Sequence, residues 1–165
     1  MQSISTFSDV RVPMPIPSEN VAKLQDKGLF QSSDRKTQTV LIVEDNDVVS
    51  DFLQCAFNAY GYRTLLATTP EEAIEHCRRD PDAIHALIAD VKLGRFDGFQ
   101  TACTLRRMCP EMKIVMTSGY PLDHLVRAGL MPADLGHTVF VQKPFLPNEI
   151  LAALKSPSQS SAGPV

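Results

Sequence analysis

Val40-Leu41-Ile42-Val43-Glu44-Asp45-Asn46 opens on four consecutive apolar residues and breaks into two acids. A short apolar run bounded by polar residues reads as a strand buried on both faces, the kind found in parallel sheets. The period then changes. Val49, Phe52, Leu53, Ala56, Phe57 and Tyr60 recur at helical spacing, and Gly61 offers the glycine that ends such a helix. One strand followed by one amphipathic helix is the start of a βα unit.

The alternation continues. Tyr62 to Ala67 suits a second strand, and Thr69-Pro70-Glu71-Glu72 is a capping box with proline at the first helical position, opening a helix to about Arg79. Ala86-Leu87-Ile88-Ala89 predicts a third strand that ends at Asp90, followed by a helix from about Gly98 to Met108. Lys113 to Thr117 predicts a fourth strand, with a weaker helix from about Leu122 to Leu130. Val139-Phe140-Val141 predicts a fifth strand, and Pro147 opens a last helix carrying Ile150, Leu151 and Leu154. Five strands alternating with five helices specify a three-layer α/β domain around a parallel sheet.

The chain has 165 residues, with 16 Lys plus Arg against 19 Asp plus Glu, a net charge of −3. The charge is uneven: residues 1–38 sum to +1 and residues 39–154 to −5. An acidic domain argues against direct nucleic-acid binding, which needs a basic face to meet phosphates. No apolar run is long enough for a transmembrane helix, and the first residues lack a secretory signal, so a cytoplasmic protein is expected. Residues 1–38 hold Pro13, Pro15 and Pro17 and read as a flexible extension with a short helix available over 18–30. Residues 155–165, rich in Ser and Pro, read as a flexible tail. The domain is thus placed at 39–154. Cys55, Cys77, Cys103 and Cys109 form no Cys-x-x-Cys pair and are expected to be small buried hydrophobes. The scattered histidines give no zinc spacing.

Chemistry in open parallel sheets gathers at the carboxyl ends of the strands. There the sequence puts Glu44 and Asp45, Asp90, Thr117-Ser118-Gly119, and Lys143-Pro144. Three crowded carboxylates cannot all ionise cheaply alone, and a hard divalent cation resolves the repulsion. Lysine and hydroxyl donors then suit phosphoryl oxygens. Phosphoryl transfer onto a carboxylate fits this set, whereas no Gly-rich loop follows the first strand to cradle a nucleotide or flavin phosphate.

Five motifs in order carry a family resemblance: Val40 to Asn46, then Leu87-Ile88-Ala89-Asp90, Asp97-Gly98, Thr117-Ser118-Gly119-Tyr120 and Lys143-Pro144-Phe145. Over residues 39–154 the chain resembles the receiver domain of two-component response regulators, in particular stand-alone, chemotaxis-regulator-like receivers. The resemblance implies a flavodoxin-like (βα)5 fold with strand order 2-1-3-4-5. It implies Asp90 as phospho-acceptor, and Mg²⁺ (with Mn²⁺ as a substitute) on Glu44, Asp45, Asp90 and the main-chain carbonyl of Lys92. Lys143 would neutralise a phosphoryl oxygen. Ser118, with Thr117 as runner-up, would hydrogen-bond another, and Phe140 would turn inward as Ser118 moves. Gly119 would leave room for the phosphoryl group, and Pro144 matches the family's cis-peptide position.

Some positions depart from the pattern. Gly94 stands where many receivers have proline, which makes that loop more flexible. Lys92 and Tyr120, two residues beyond Asp90 and Ser118, would shield the acyl phosphate. The expected function is that of a single-domain response regulator rather than an enzyme, although self-catalysed phosphotransfer and slow autodephosphorylation would come with it. A sensor histidine kinase or a histidine phosphotransfer protein would donate the phosphoryl group, and a surface for a downstream protein target would switch. A phosphorylation-dependent dimer is left open. The alternatives are a phosphate-independent pseudo-receiver, which the intact acids and lysine disfavour, and a relay intermediate or phosphate sink. An aspartyl phosphatase would want an acid where Lys92 stands.

Overall fold

The computed structural model describes residues 37–132 and 138–156. Five parallel strands form the main sheet: β1 (Thr39–Val43), β2 (Arg63–Ala67), β3 (Ile84–Asp90), β4 (Lys113–Ser118) and β5 (Thr138–Gln142). They lie in the order β2-β1-β3-β4-β5, with every neighbouring pair parallel. This is the flavodoxin-like order that the resemblance to receiver domains implies. Four α-helices connect them, α1 (Asp47–Ala59), α2 (Pro70–Arg79), α3 (Gly98–Met108) and α4 (Leu122–Arg127), and α5 (Pro147–Lys155) follows β5.

The three layers follow from strand alternation. Successive residues of β1 point to opposite faces. Leu41 and Val43 join Leu87, Ala89, Ile114 and Met116 in a core with α2 and α3, while Val40 and Ile42 join Ile88 and Val115 against Leu53 and Phe57 of α1 and Ile150 of α5. All five residues of β1 are buried, as a central parallel strand requires. Fully burying a side chain such as Leu41 or Phe57 contributes about 1.5–3 kcal/mol before the entropy of ordering it.

Local signals set the helix ends. The Asn46 side chain accepts from the amides of Val48 and Val49, so α1 starts directly after the acid pair. Gly61, at φ +83°, turns the chain away beyond α1. Thr69 caps α2 by accepting from the Glu72 amide, and the Glu72 carboxylate reaches back to the Thr68 amide. Asp97 caps α3 by accepting from Phe99 and Gln100.

Several features differ from expectation. Cys55 is exposed on α1, because the buried face of that helix runs through Leu53, Ala56 and Phe57. The fourth helix stops at Arg127 rather than about Leu130, since only Leu125 of its apolar residues is buried and Gly129 takes φ +67°. A two-residue antiparallel ribbon, Lys92–Leu93 with Phe96–Asp97, fills the segment after β3. Gly94 occupies the turn of that ribbon at φ +55°, a conformation proline cannot adopt. A short 3₁₀ turn, Pro81–Ala83, precedes β3. The helix expected over 18–30, the rest of the extension up to residue 36 and the tail from residue 157 lie outside the described residues.

Candidate functional site

β1, β3 and β5 deliver the rim residues together because parallel strands all end on the same edge. Glu44 directly follows β1 and its amide donates to Ala67 O of β2 at 3.1 Å, which anchors the backbone at the rim. Its side chain is 2% exposed, so burial pushes the carboxyl above its ordinary pKa, against the opposing pull of the bond from Lys143. Asp45 is exposed, and Asp90 is half-buried at the end of β3. One carboxylate oxygen from each of Glu44, Asp45 and Asp90 falls within 4.8 Å of the others. Three hard oxygen donors at that spacing fit a divalent cation such as Mg²⁺.

Lys143 arrives from the far side of the sheet, one residue past β5. Its amide donates to Ser118 O at 2.7 Å, extending the β4–β5 pairing to the rim. The ammonium donates to Asp90 Oδ2 at 2.6 Å and to Glu44 Oε2 at 2.8 Å. Burial works to lower the lysine pKa, but the hydrogen bonds and charges of Asp90 and Glu44 outweigh it and hold the ammonium above its ordinary value. The Lys143–Pro144 peptide bond is cis.

The backbone beneath Asp90 is tightly built. The Lys92 amide donates to Asp90 Oδ1 at 3.2 Å, the Val91 amide to Thr117 O at 2.8 Å, and the Gly98 amide to Val91 O at 2.9 Å. A Cβ on Gly98 would lie 1.9 Å from the Asp90 carbonyl oxygen, so only glycine fits there. The Asp97-Gly98 pair was thus visible in the sequence, but the close approach that demands the glycine was not. A Cβ on Gly94 would stand 3.2 Å from Asp45 Oδ2, which places the ribbon turn beside the acid pair.

The two hydroxyl candidates both lie buried at the end of β4. Thr117 donates to Ala89 O at 3.5 Å, across the strand pairing that sets it opposite Asp90. The Ser118 hydroxyl accepts from the Tyr120 amide at 2.9 Å. Nothing within 4 Å meets a Cβ built on Gly119. Phe140 is half-buried on β5, opposite Met116, with its ring 6.1 Å from that of Phe99. Sequence reasoning singled out Tyr120 but missed its stacking partner: the ring lies against His124 at 5.5 Å and 20°. The spacing of four residues puts both on one side of the entry to α4. Among the described residues, no helix is long and apolar enough to cross a membrane.

Comparison with known proteins bears on this geometry. The model of the family described as the response regulator receiver domain matches residues 40–155. The chain is 34% identical over 119 residues to the response regulator MprA of Mycobacterium leprae, covering 71% of this chain and 49% of that protein. It is 31% identical over 117 residues to the sensor kinase CckA of Brucella abortus, covering 71% of this chain and 12% of the kinase. The chain therefore spans half or less of these relatives. Among solved structures, the chemotaxis protein CheY4 of Vibrio cholerae superposes with a TM-score of 0.63 at 21% identity, covering 73% of this chain and 98% of that one. A response regulator from Burkholderia pseudomallei, crystallised with a phosphorylated aspartic acid, a calcium ion and citrate, gives a TM-score of 0.62 at 24% identity over 72% of this chain and 67% of that one.

Proposed function

Because this chain belongs to the response regulator receiver family, we propose that Asp90 accepts a phosphoryl group from a phosphohistidine donor in a Mg²⁺-dependent reaction. The observation that carries the reading is the bridge from Lys143 to Asp90 and Glu44, with Asp45 beside them. The donor would be a sensor histidine kinase or a histidine phosphotransfer protein. Glu44, Asp45, Asp90 and the carbonyl of Lys92 would hold the metal, which supplies positive charge to offset the phosphoryl oxygens.

An Asp90 carboxylate oxygen attacks phosphorus. The P–N bond to the donor histidine breaks, and its electron pair stays on the imidazole nitrogen. Asp90 is oriented for this by the Lys92 amide on one oxygen and Lys143 on the other. Lys143 then turns its protons to a phosphoryl oxygen, an electrostatic contribution made where charge accumulates. Ser118 accepts from Tyr120 and so keeps its own proton to give to a second phosphoryl oxygen. Its movement toward the phosphate would couple to Phe140, whose ring packs on Phe99. The charge brought in biases a two-state equilibrium toward a surface that binds a downstream protein.

The test uses a small phosphoramidate as a stand-in for phosphohistidine, with intact mass as the readout. One phosphoryl mass is gained in Mg²⁺ and lost from the spectrum when a chelator is present. An equal gain with and without the chelator would remove the metal from the reading.

A further inference from the structure

Two thiols that the proposed chemistry does not use meet in the core. Cys77 lies in the last turn of α2 and Cys109 caps the carboxyl end of α3. Both are buried in the same apolar cluster, with Cys109 close enough to Cys77 to act on its thiol. They differ in access. Cys77 is fully enclosed, and burial, reinforced by Cys109, pushes its thiol up to about 12. Cys109 lines a cavity of about 290 Å³ with Tyr62, His85, Met108 and Lys113. Val40, Ile84 and Lys113, at or near the starts of their strands, also border that cavity, so it sits at the edge of the sheet opposite the Asp90 rim.

We propose that Cys77 and Cys109 form an oxidisable pair that a small peroxide converts to a disulfide through the cavity beside Cys109. The Cys109 sulfur, as thiolate, attacks one peroxide oxygen. The O–O bond breaks, and the leaving hydroxide takes up the thiol proton as water, leaving a sulfenic acid on Cys109. The Cys77 sulfur then attacks the Cys109 sulfur. The S–S bond forms, the S–O bond breaks, and the departing hydroxide takes the Cys77 proton as a second water. Each sulfur gives up one electron, and the peroxide is reduced to two waters. Cys77 suits the second step, since it is enclosed away from the cavity that admits the peroxide yet shares the buried cluster of the sulfur it must attack. The bridge would tie the last turn of α2 to the carboxyl end of α3, the helix whose first residue underlies Asp90.

The experiment treats the full chain carrying Cys55→Ser, which removes the exposed thiol, with hydrogen peroxide, followed by intact mass and non-reducing peptide mapping. The expected result is loss of two hydrogen masses, a joined Cys77–Cys109 peptide, full reversal by dithiothreitol, and a higher melting midpoint for the bridged chain. In Cys77→Ala on the same background, Cys109 is trapped by a diketone that reacts with sulfenic acids. Three results overturn the proposal: sulfinic acid at Cys109 in the Cys55→Ser chain without a bridge, a bridge to Cys103, or no oxidation while a free-thiol reference peptide is consumed.

Discussion

Lys143 and Asp90 stand 53 positions apart in the chain, yet the lysine ammonium donates to Asp90 Oδ2 at 2.6 Å. The same nitrogen holds Glu44 at 2.8 Å, so one cation ties the ends of β1, β3 and β5. The lysine thereby occupies the place where new negative charge would arrive.

Replacing Lys143 with Ala removes that cation and leaves Glu44 and Asp90 facing each other. Phosphorylation by a small phosphodonor is expected to slow by about 10²-fold, the cost of losing a donor aimed at developing charge. The rate of mass gain in Mg²⁺ measures it, with circular dichroism as the check on folding.

Gly98 is the residue against which Asp90 is set. Gly98→Ala places a methyl group 1.9 Å from the Asp90 carbonyl oxygen, and backbone must move to admit it. Overpacking of this kind costs about 1–3 kcal/mol. Urea denaturation is expected to show that loss, and phosphorylation is expected to fall with it because the shift is centred on Asp90. Gly119→Ala, where an added Cβ meets nothing, serves as the contrasting variant for stability.

Lys92 and Tyr120 flank the rim, one bonded through its amide to Asp90 Oδ1 and the other to the Ser118 hydroxyl. Their side chains are proposed to hinder water from reaching the acyl phosphate. The double variant Lys92→Ala, Tyr120→Ala is expected to lose its phosphoryl group faster than the unsubstituted protein. Equal half-lives would show that neither side chain shields it.

Glu72 gives a pH dependence away from the site. The Thr68 amide, with its hydroxyl second, holds the Glu72 carboxyl below the ordinary 4.5. A folded-state pKa lower than the unfolded one means that the unfolded chain binds more protons at acid pH. The stabilisation is therefore complete above about 4.5 and is lost as pH falls through the lowered folded value. The stability gap between the protein and Glu72→Gln should be open at neutral pH and shrink on acidification, as read by urea midpoints.

The sheet was legible because each strand carries its own local signal, such as the Val40–Val43 run ending in acids. The rim was legible because parallel strands deliver their last residues to one edge, so Glu44, Asp90 and Lys143 could be grouped without knowing a single distance. What escaped was short or depended on packing. The ribbon of Lys92–Leu93 with Phe96–Asp97 is too brief to show a period, and the turn at positive φ that Gly94 supplies belongs to that ribbon. Cys55 looked like a core residue because burial of a small side chain depends on which side of a helix it occupies. The meeting of Cys77 and Cys109 in one buried cluster joins elements that no spacing rule connects.

Everything proposed for the rim depends on Asp90 taking the phosphoryl group. The most direct measurement is intact mass after incubation with Mg²⁺ and a small phosphodonor, for the unsubstituted protein and for Asp90→Asn. A gain of one phosphoryl mass is expected in the first and none in the second. No gain in either, or an equal gain in both, would contradict it.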